Sequence, residues 1–111
     1  MQVEERLKNL SKEIDEAHID LTAAEAKYHT TKASLEISMA RSRMSISHPD
    51  HKLTSIQRED MALIENAQKH MELAIAEAEV KAARANANRI RTQVDIARSI
   101  SVSVRASLEI I

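Results

Sequence analysis

The chain contains no glycine and a single proline, Pro49, in 111 residues. Glycine supplies the positive-φ geometry that tight turns and helix C-caps use, so a chain without it makes few sharp reversals. Pro49 disfavours helical geometry at the residue before it, His48. These two features predict an all-α fold in which two long helices are joined by one turn near Pro49.

The apolar pattern predicts helices that pack side by side as in a coiled coil. Tyr28 is the only aromatic residue, so the core consists of Leu, Ile, Val, Met and Ala side chains. From Val3 to Leu35 these recur in steps of three and four residues, which is a heptad pattern. The predicted stripe of helix 1 comprises Val3, Leu7, Leu10, Ile14, Ala17, Leu21, Ala24, Tyr28, Thr31 and Leu35.

We expect one domain over residues 1–111, a long antiparallel helical hairpin with helix 1 at about 2–46, a turn at 47–53 and helix 2 at about 54–110. Thr54 and Gln57 have the spacing of a capping box at the start of helix 2. Asn86 and Asn88 mark the expected weak point of helix 2, and a third helix from about Asn88 onward is the alternative.

Helix 2 opens with the apolar positions Ile56, Met61, Ile64, Ala67 and Met71. Its clearer stripe comprises Val80, Ala83, Ala87, Ile90, Val94, Ala97, Ser101, Val104, Leu108 and Ile111. Residues 99–104 also alternate between polar and β-branched side chains, which is the period of a strand. The heptad phase favours a helix for this tail, and a strand that orders on a partner is the alternative.

Folding helix 2 back about Pro49 pairs residues whose numbers sum to roughly 100. This register places Asp15 near Arg84, and Glu4 near Arg91. Residues after about Ile100 then have no partner within one chain, although they keep an apolar stripe. We therefore expect a homo-oligomeric helical bundle, whose interface includes Ile90, Val94, Val104, Leu108 and Ile111.

The net charge is −1, but the C-terminal third is locally basic. Its most regular feature is a ladder of arginines every seven residues: Arg84, Arg91, Arg98 and Arg105. Such flanking positions commonly form salt bridges between helices. The alternative is that the ladder, above all Arg98 and Arg105 beyond the acids of helix 1, binds DNA phosphates or an acidic protein.

The chain has none of the motifs of the common enzyme classes. Cysteine and glycine are absent, which excludes thiolate chemistry and makes phosphate-cradling loops very unfavourable. His48, Asp50 and His51 fall together in the turn, but a third firm ligand is missing, so no metal site is predicted. We expect no catalysis, no cofactor and no small-molecule substrate. The acidic N-terminal segment and the lack of a long apolar run predict a cytoplasmic protein without membrane contact.

Three groups of residues carry a resemblance to a family. They are Tyr28 followed by Lys32-Ala33-x-Leu35-Glu36, then Leu53-Thr54-x-x-x-Arg58-Glu59, and last the spacing of Arg91, Arg98 and Arg105. In these the chain resembles small helical-hairpin proteins encoded in the early, recombination-associated regions of tailed bacteriophages. The resemblance implies a non-enzymatic accessory protein of phage DNA recombination or replication, located in the host cytoplasm, that binds DNA or a DNA-processing protein. The alternative is a pure protein-interaction module, such as an inhibitor of a host factor or a structural adaptor.

Overall fold

The structure is a computed structural model that describes residues 3–46 and 54–110, and every described element is a helix. Helix α1 spans Val3–Ile46, α2 spans Ser55–Glu65 and α3 spans Ala67–Ile110. None of the described residues has a positive φ, as expected of a chain without glycine. The tail at residues 99–104, with its strand-like alternation, is helical within α3.

The chain divides into two compact units, each built from segments of α1 and of the later helices. The terminal unit comprises Met1–Ala23 and Lys81–Ile111, and the central unit comprises Ala24–Val80. The helices in each unit are amphipathic. Each unit is therefore stabilised by packing of the apolar stripe of its α1 segment against the facing helix. The described members of the predicted α1 stripe, from Leu7 to Leu35, are all buried or half-buried.

The terminal unit has a small-residue core. Leu10 is 1% exposed and packs in one cluster with the alanines of both helices and with Ile90 and Val94. Alanines at Ala17 and Ala87 let the two helices approach closely, because no large side chain separates them. Ile90 and Val94 were expected at an oligomer interface. In the single chain both are buried in this cluster, at 5% and 6% exposed.

The central unit has a second core, which consists of Leu35, Met39, Ile46 and Ala62, with Leu73 packed against it. Among its described residues it also buries the polar side chain of Asn66, which is 4% exposed and separates α2 from α3. The Asn66 side chain donates to the carbonyl oxygen of Ala62, four residues earlier, at 2.8 Å. A side-chain bond of this kind competes with the regular helical pattern, which accounts for the break at this residue.

Two expectations for helix 2 require correction. The interruption lies at Asn66, while α3 is continuous through Asn86 and Asn88. The expected apolar positions at the start of helix 2 are also out of phase, because Ile56 and Ile64 are 74% and 76% exposed. The positions that face α1 are Ala62, Asn66, Leu73 and Ala76, and all but Leu73 carry smaller or polar side chains.

The helices of each unit run antiparallel. In the central unit, Lys27 contacts Glu79 and Arg43 contacts Glu59, so that the residue number rises on α1 as it falls on the facing helix. In the terminal unit Arg6 donates to the Gln93 side-chain oxygen at 3.3 Å and Glu4 lies 4.0 Å from Arg105, so the same opposite order holds. The predicted register is thus correct in direction.

Candidate interaction surface

The arginine ladder lies on α3 in the terminal unit, and all four guanidinium side chains are exposed. Seven residues of helix rise about 10.5 Å, so Arg84, Arg91, Arg98 and Arg105 form a row of positive charges about 31 Å long. The ladder follows the same heptad repeat as the buried residues Ile90 and Val94. Residues seven positions apart lie on the same side of the helix, so the four arginines stay beside the buried stripe.

Contacts along the ladder differ from those expected. Arg105 approaches Glu4 at 4.0 Å, and the two side chains are 70% and 84% exposed. An ion pair this open is screened by water and contributes little to stability. Glu4 was expected near Arg91 instead, so α1 reaches farther along α3 than the register predicted. Arg91 and Arg98 have no hydrogen bond or ion pair with any described residue.

A second feature of the same segment is an exposed apolar row on α3, which we define as Ile96, Ile100, Val104 and Leu108. These side chains are 55%, 49%, 48% and 67% exposed in that order. They recur every four residues and therefore share one broad face of the helix. Ser101 is half-buried, and every side chain from Val102 to Glu109 is exposed.

The N-terminal half of the apolar row borders a groove between α1 and α3. This groove has a volume of about 240 Å³ and is lined mainly by Leu10, Ile96, Ala97 and Ile100. Arg6 and Gln93 stand at its edge. An apolar groove of this size accommodates side chains from another helix rather than a substrate.

The apolar row and the arginine ladder lie on different faces of α3. At 100° per residue, Arg98 and Arg105 are about 160° and 140° round the helix from Ile100. Asp95 also lies about 140° away, on the other side of the helix. The row consequently presents apolar and hydroxyl side chains to solvent, with the charges of this segment turned elsewhere.

A polar cleft of about 300 Å³ adjoins the groove in the terminal unit. Glu13, Glu16 and Asp20 line it opposite Arg89. Arg6 stands between Glu13, at 3.9 Å, and Gln93. Acidic and basic side chains therefore largely compensate each other within this cleft.

Three further expectations concern metal ligands, membranes and the turn between the helices. Among residues 3–46 and 54–110, no three His, Cys, Asp or Glu side chains are grouped as metal ligands. No helix in that part of the chain has a long enough apolar stretch to cross a bilayer. His48, Asp50 and His51, with the turn at 47–53 and the expected interface residue Ile111, lie outside the described residues.

Sequence reasoning identified Val104 and Leu108 but missed Ile96 and Ile100. The four-residue spacing of Ile96 and Ile100 could have identified them, but the stripe through Val94 and Ala97 already explained why this segment is helical.

Comparison with protein-family models, with curated proteins and with solved structures finds no match to this chain.

Proposed function

We propose that this protein is a non-enzymatic, self-associating helical accessory protein that acts by binding, and that the C-terminal part of α3 is its binding segment. The observation that carries the proposal is the apolar row, four large aliphatic side chains about half or more exposed on a regular helix. Burial of one such side chain contributes about 1.5–3 kcal/mol. Burial of the remaining exposed area of all four side chains opposes the entropic cost of association.

A second copy of the chain suits the row well. If two α3 helices lie antiparallel about Ile100, each Ile96 faces Val104 of the second copy and the two Ile100 side chains meet. Because Asp95, Arg98 and Arg105 lie away from this face, no like charges oppose each other across it. Val104 and Leu108 of the second copy then reach the level of the groove beside Leu10.

The test is the mass in solution, measured by sedimentation equilibrium at micromolar concentration. The wild type is expected well above the 12.4 kDa of one chain. Ile100→Lys is expected to shift the protein towards monomer, because a charge would be buried at the symmetry centre. Ile19→Lys is the matched control, since Ile19 is 68% exposed on α1 outside the row. A monomeric wild type, or equal masses for both variants, would contradict the proposal.

The second candidate function is DNA binding through the arginine ladder, in the phage recombination or replication role that the family resemblance implies. Arg91 and Arg98 support it, because no described acid neutralises either side chain. Phosphate contacts of this kind bind without reading sequence. Without DNA binding, the ladder would serve an acidic protein, as in a host-factor inhibitor or a structural adaptor.

Titration of duplex and single-stranded DNA at two salt concentrations separates these readings. If the ladder binds phosphates, Arg98→Glu with Arg105→Glu should weaken binding to every sequence and flatten the salt dependence, because fewer counterions are released. Arg89→Glu is the control, since Arg89 lies outside the seven-residue repeat and contacts Asn86. No wild-type binding at low salt would eliminate DNA and leave the protein partner.

A further inference from the structure

An open groove in the central unit combines positive charge with hydroxyl groups. It has a volume of about 750 Å³ and runs along α1 beside the start of α3. Arg41 lines it from α1 and Lys69 lines it from α3. Thr30 and Ser34 add hydroxyl groups, and no Asp or Glu is among the described residues that line it.

Among the described residues, the two cations of this groove lack the ion pairs that two neighbouring cations of α1 make. Two other cations of α1 in the central unit are neutralised across the helix pair, Lys27 by Glu79 at 3.0 Å and Arg43 by Glu59 at 2.7 Å. Arg41 and Lys69 have no ion pair with any described carboxylate. Two cations from separate helices therefore share one groove with no counter-charge from the described residues.

Lys69 is also held in place. Its ammonium group donates to the Ser34 hydroxyl oxygen at 3.1 Å, which links α3 to α1 at the groove. The Ser34 oxygen accepts this bond, so its own O–H is still available to donate. Arg41 offers a planar fork of donors that fits two oxygens of one anion, and Lys69 offers a compact charge with further donors.

We infer that this groove binds a phosphate-type anion, a phosphate monoester or inorganic phosphate. A tetrahedral dianion has enough oxygens to accept from Arg41, Lys69 and the Ser34 hydroxyl together, and its charge matches the two cations. The aliphatic side chains of Ala33 and Ile37 line the same groove, so the organic part of a monoester has an apolar surface to contact. The site lies in the central unit and is independent of the function proposed for the C-terminal part of α3.

The experiment is an NMR titration of the full chain with inorganic phosphate, with sodium chloride at equal ionic strength as the reference. Amide shifts should concentrate around residues 29–41 and 66–70 and should saturate. Arg41→Gln and Lys69→Gln should each weaken binding by about tenfold or more, since each removes a hydrogen bond to a charged group. Lys12→Gln, which changes an exposed lysine of α1 in the terminal unit, should bind as the wild type does. Circular dichroism melting checks that each variant is folded.

Two further probes distinguish the source of the phosphate. Phenyl phosphate reports a soluble monoester, and vesicles of phosphatidylcholine with phosphatidic acid report a lipid headgroup. Stronger binding of phenyl phosphate than of phosphate supports a soluble organic ligand, whereas vesicle binding lost in Arg41→Gln supports a headgroup. Shifts that chloride reproduces, or binding unchanged in both glutamine variants, would overturn the inference.

Discussion

The side-chain amide of Asn66 donates a hydrogen bond to the Ser42 hydroxyl oxygen on the facing helix at 2.9 Å. Ser38 donates to the other end of the same amide, the Asn66 side-chain oxygen. One buried polar residue thereby holds two serines that lie four positions apart on α1. Because a buried asparagine is satisfied only in one alignment of the two helices, it fixes the register of the central unit.

We expect Asn66→Ala to lower the free energy of unfolding by about 1–3 kcal/mol, because it removes bonds to both serines in a buried site. Chemical denaturation followed by circular dichroism measures this. Asn88→Ala is the control, since Asn88 is exposed on α3 and its replacement should change stability little. Equal effects for the two variants would show that the amide does not hold the register.

Leu10→Ala should cost about 2–5 kcal/mol of unfolding free energy, because truncation of a fully buried leucine leaves a cavity. Thermal or urea denaturation gives the value. Ile19→Ala tests the assignment of the stripe, because Ile19 lies on the same helix but is 68% exposed. Its cost should stay within a few tenths of a kcal/mol, and a loss as large as that of Leu10→Ala would mean that the buried face of α1 is misassigned.

Thr54 caps α2. Its side-chain oxygen accepts from the Gln57 backbone N–H at 3.1 Å, and the Gln57 side chain accepts from the Thr54 backbone N–H at 3.0 Å. We expect Thr54→Ala to destabilise the protein by about 1 kcal/mol, through loss of the N-cap. Thr22→Ala is the comparison, because the Thr22 hydroxyl donates to the carbonyl oxygen of His18 within α1 and caps no helix. Its effect on the unfolding free energy should be smaller.

The Arg43 guanidinium donates two hydrogen bonds to Glu59, at 2.9 and 2.7 Å. These bonds lower the pKa of the Glu59 carboxyl below its ordinary value of 4.5, with a smaller charge contribution, against an opposing effect of desolvation. Because the folded pKa is the lower one, the pair contributes its full stability above pH 4.5 and loses it as the pH falls through the folded pKa. The contribution is modest, since both side chains are about half exposed.

Carbon-detected NMR titration of the Glu59 carboxyl should therefore give a pKa below its ordinary value of 4.5. In Arg43→Gln the Glu59 pKa should rise towards its ordinary value, and the acid-dependent loss of stability should shrink. A Glu59 pKa that does not respond to the variant would mean that the pair does not persist in solution.

The heptad stripe of α1 was predictable because each of its positions carries a side chain that either is apolar or packs as one. The capping box at Thr54 was also predictable, because two residues three apart carry both of its hydrogen bonds. Such local patterns survive folding since the helix itself sets their spacing. The all-α fold followed from them together with the lack of glycine.

The start of helix 2 could not be predicted in the same way. There the larger apolar residues, such as Ile56 and Ile64, point to solvent, while Ala62 and Asn66 face α1. The larger apolar side chains therefore indicated the wrong face of the helix as the buried one. The burial of an asparagine is explained only by its partners Ser38 and Ser42 on the other helix. Asn86 and Asn88 are also asparagines, but they have no serine partners of this kind among the described residues, and α3 stays regular through them.

The antiparallel pairing also sets an order of assembly. Arg43 and Glu59 in the central unit are separated by 16 positions along the chain, whereas Arg6 and Gln93 in the terminal unit are separated by 87. Closing the longer loop from an unfolded chain costs about 1.5 kcal/mol more in chain entropy. Once the central unit has formed, most of that loop is already ordered, so the terminal unit closes at much lower entropic cost. We therefore expect amide protons of the terminal unit to exchange first, with the C-terminal part of α3 being the last part of the chain to fold and the first to open.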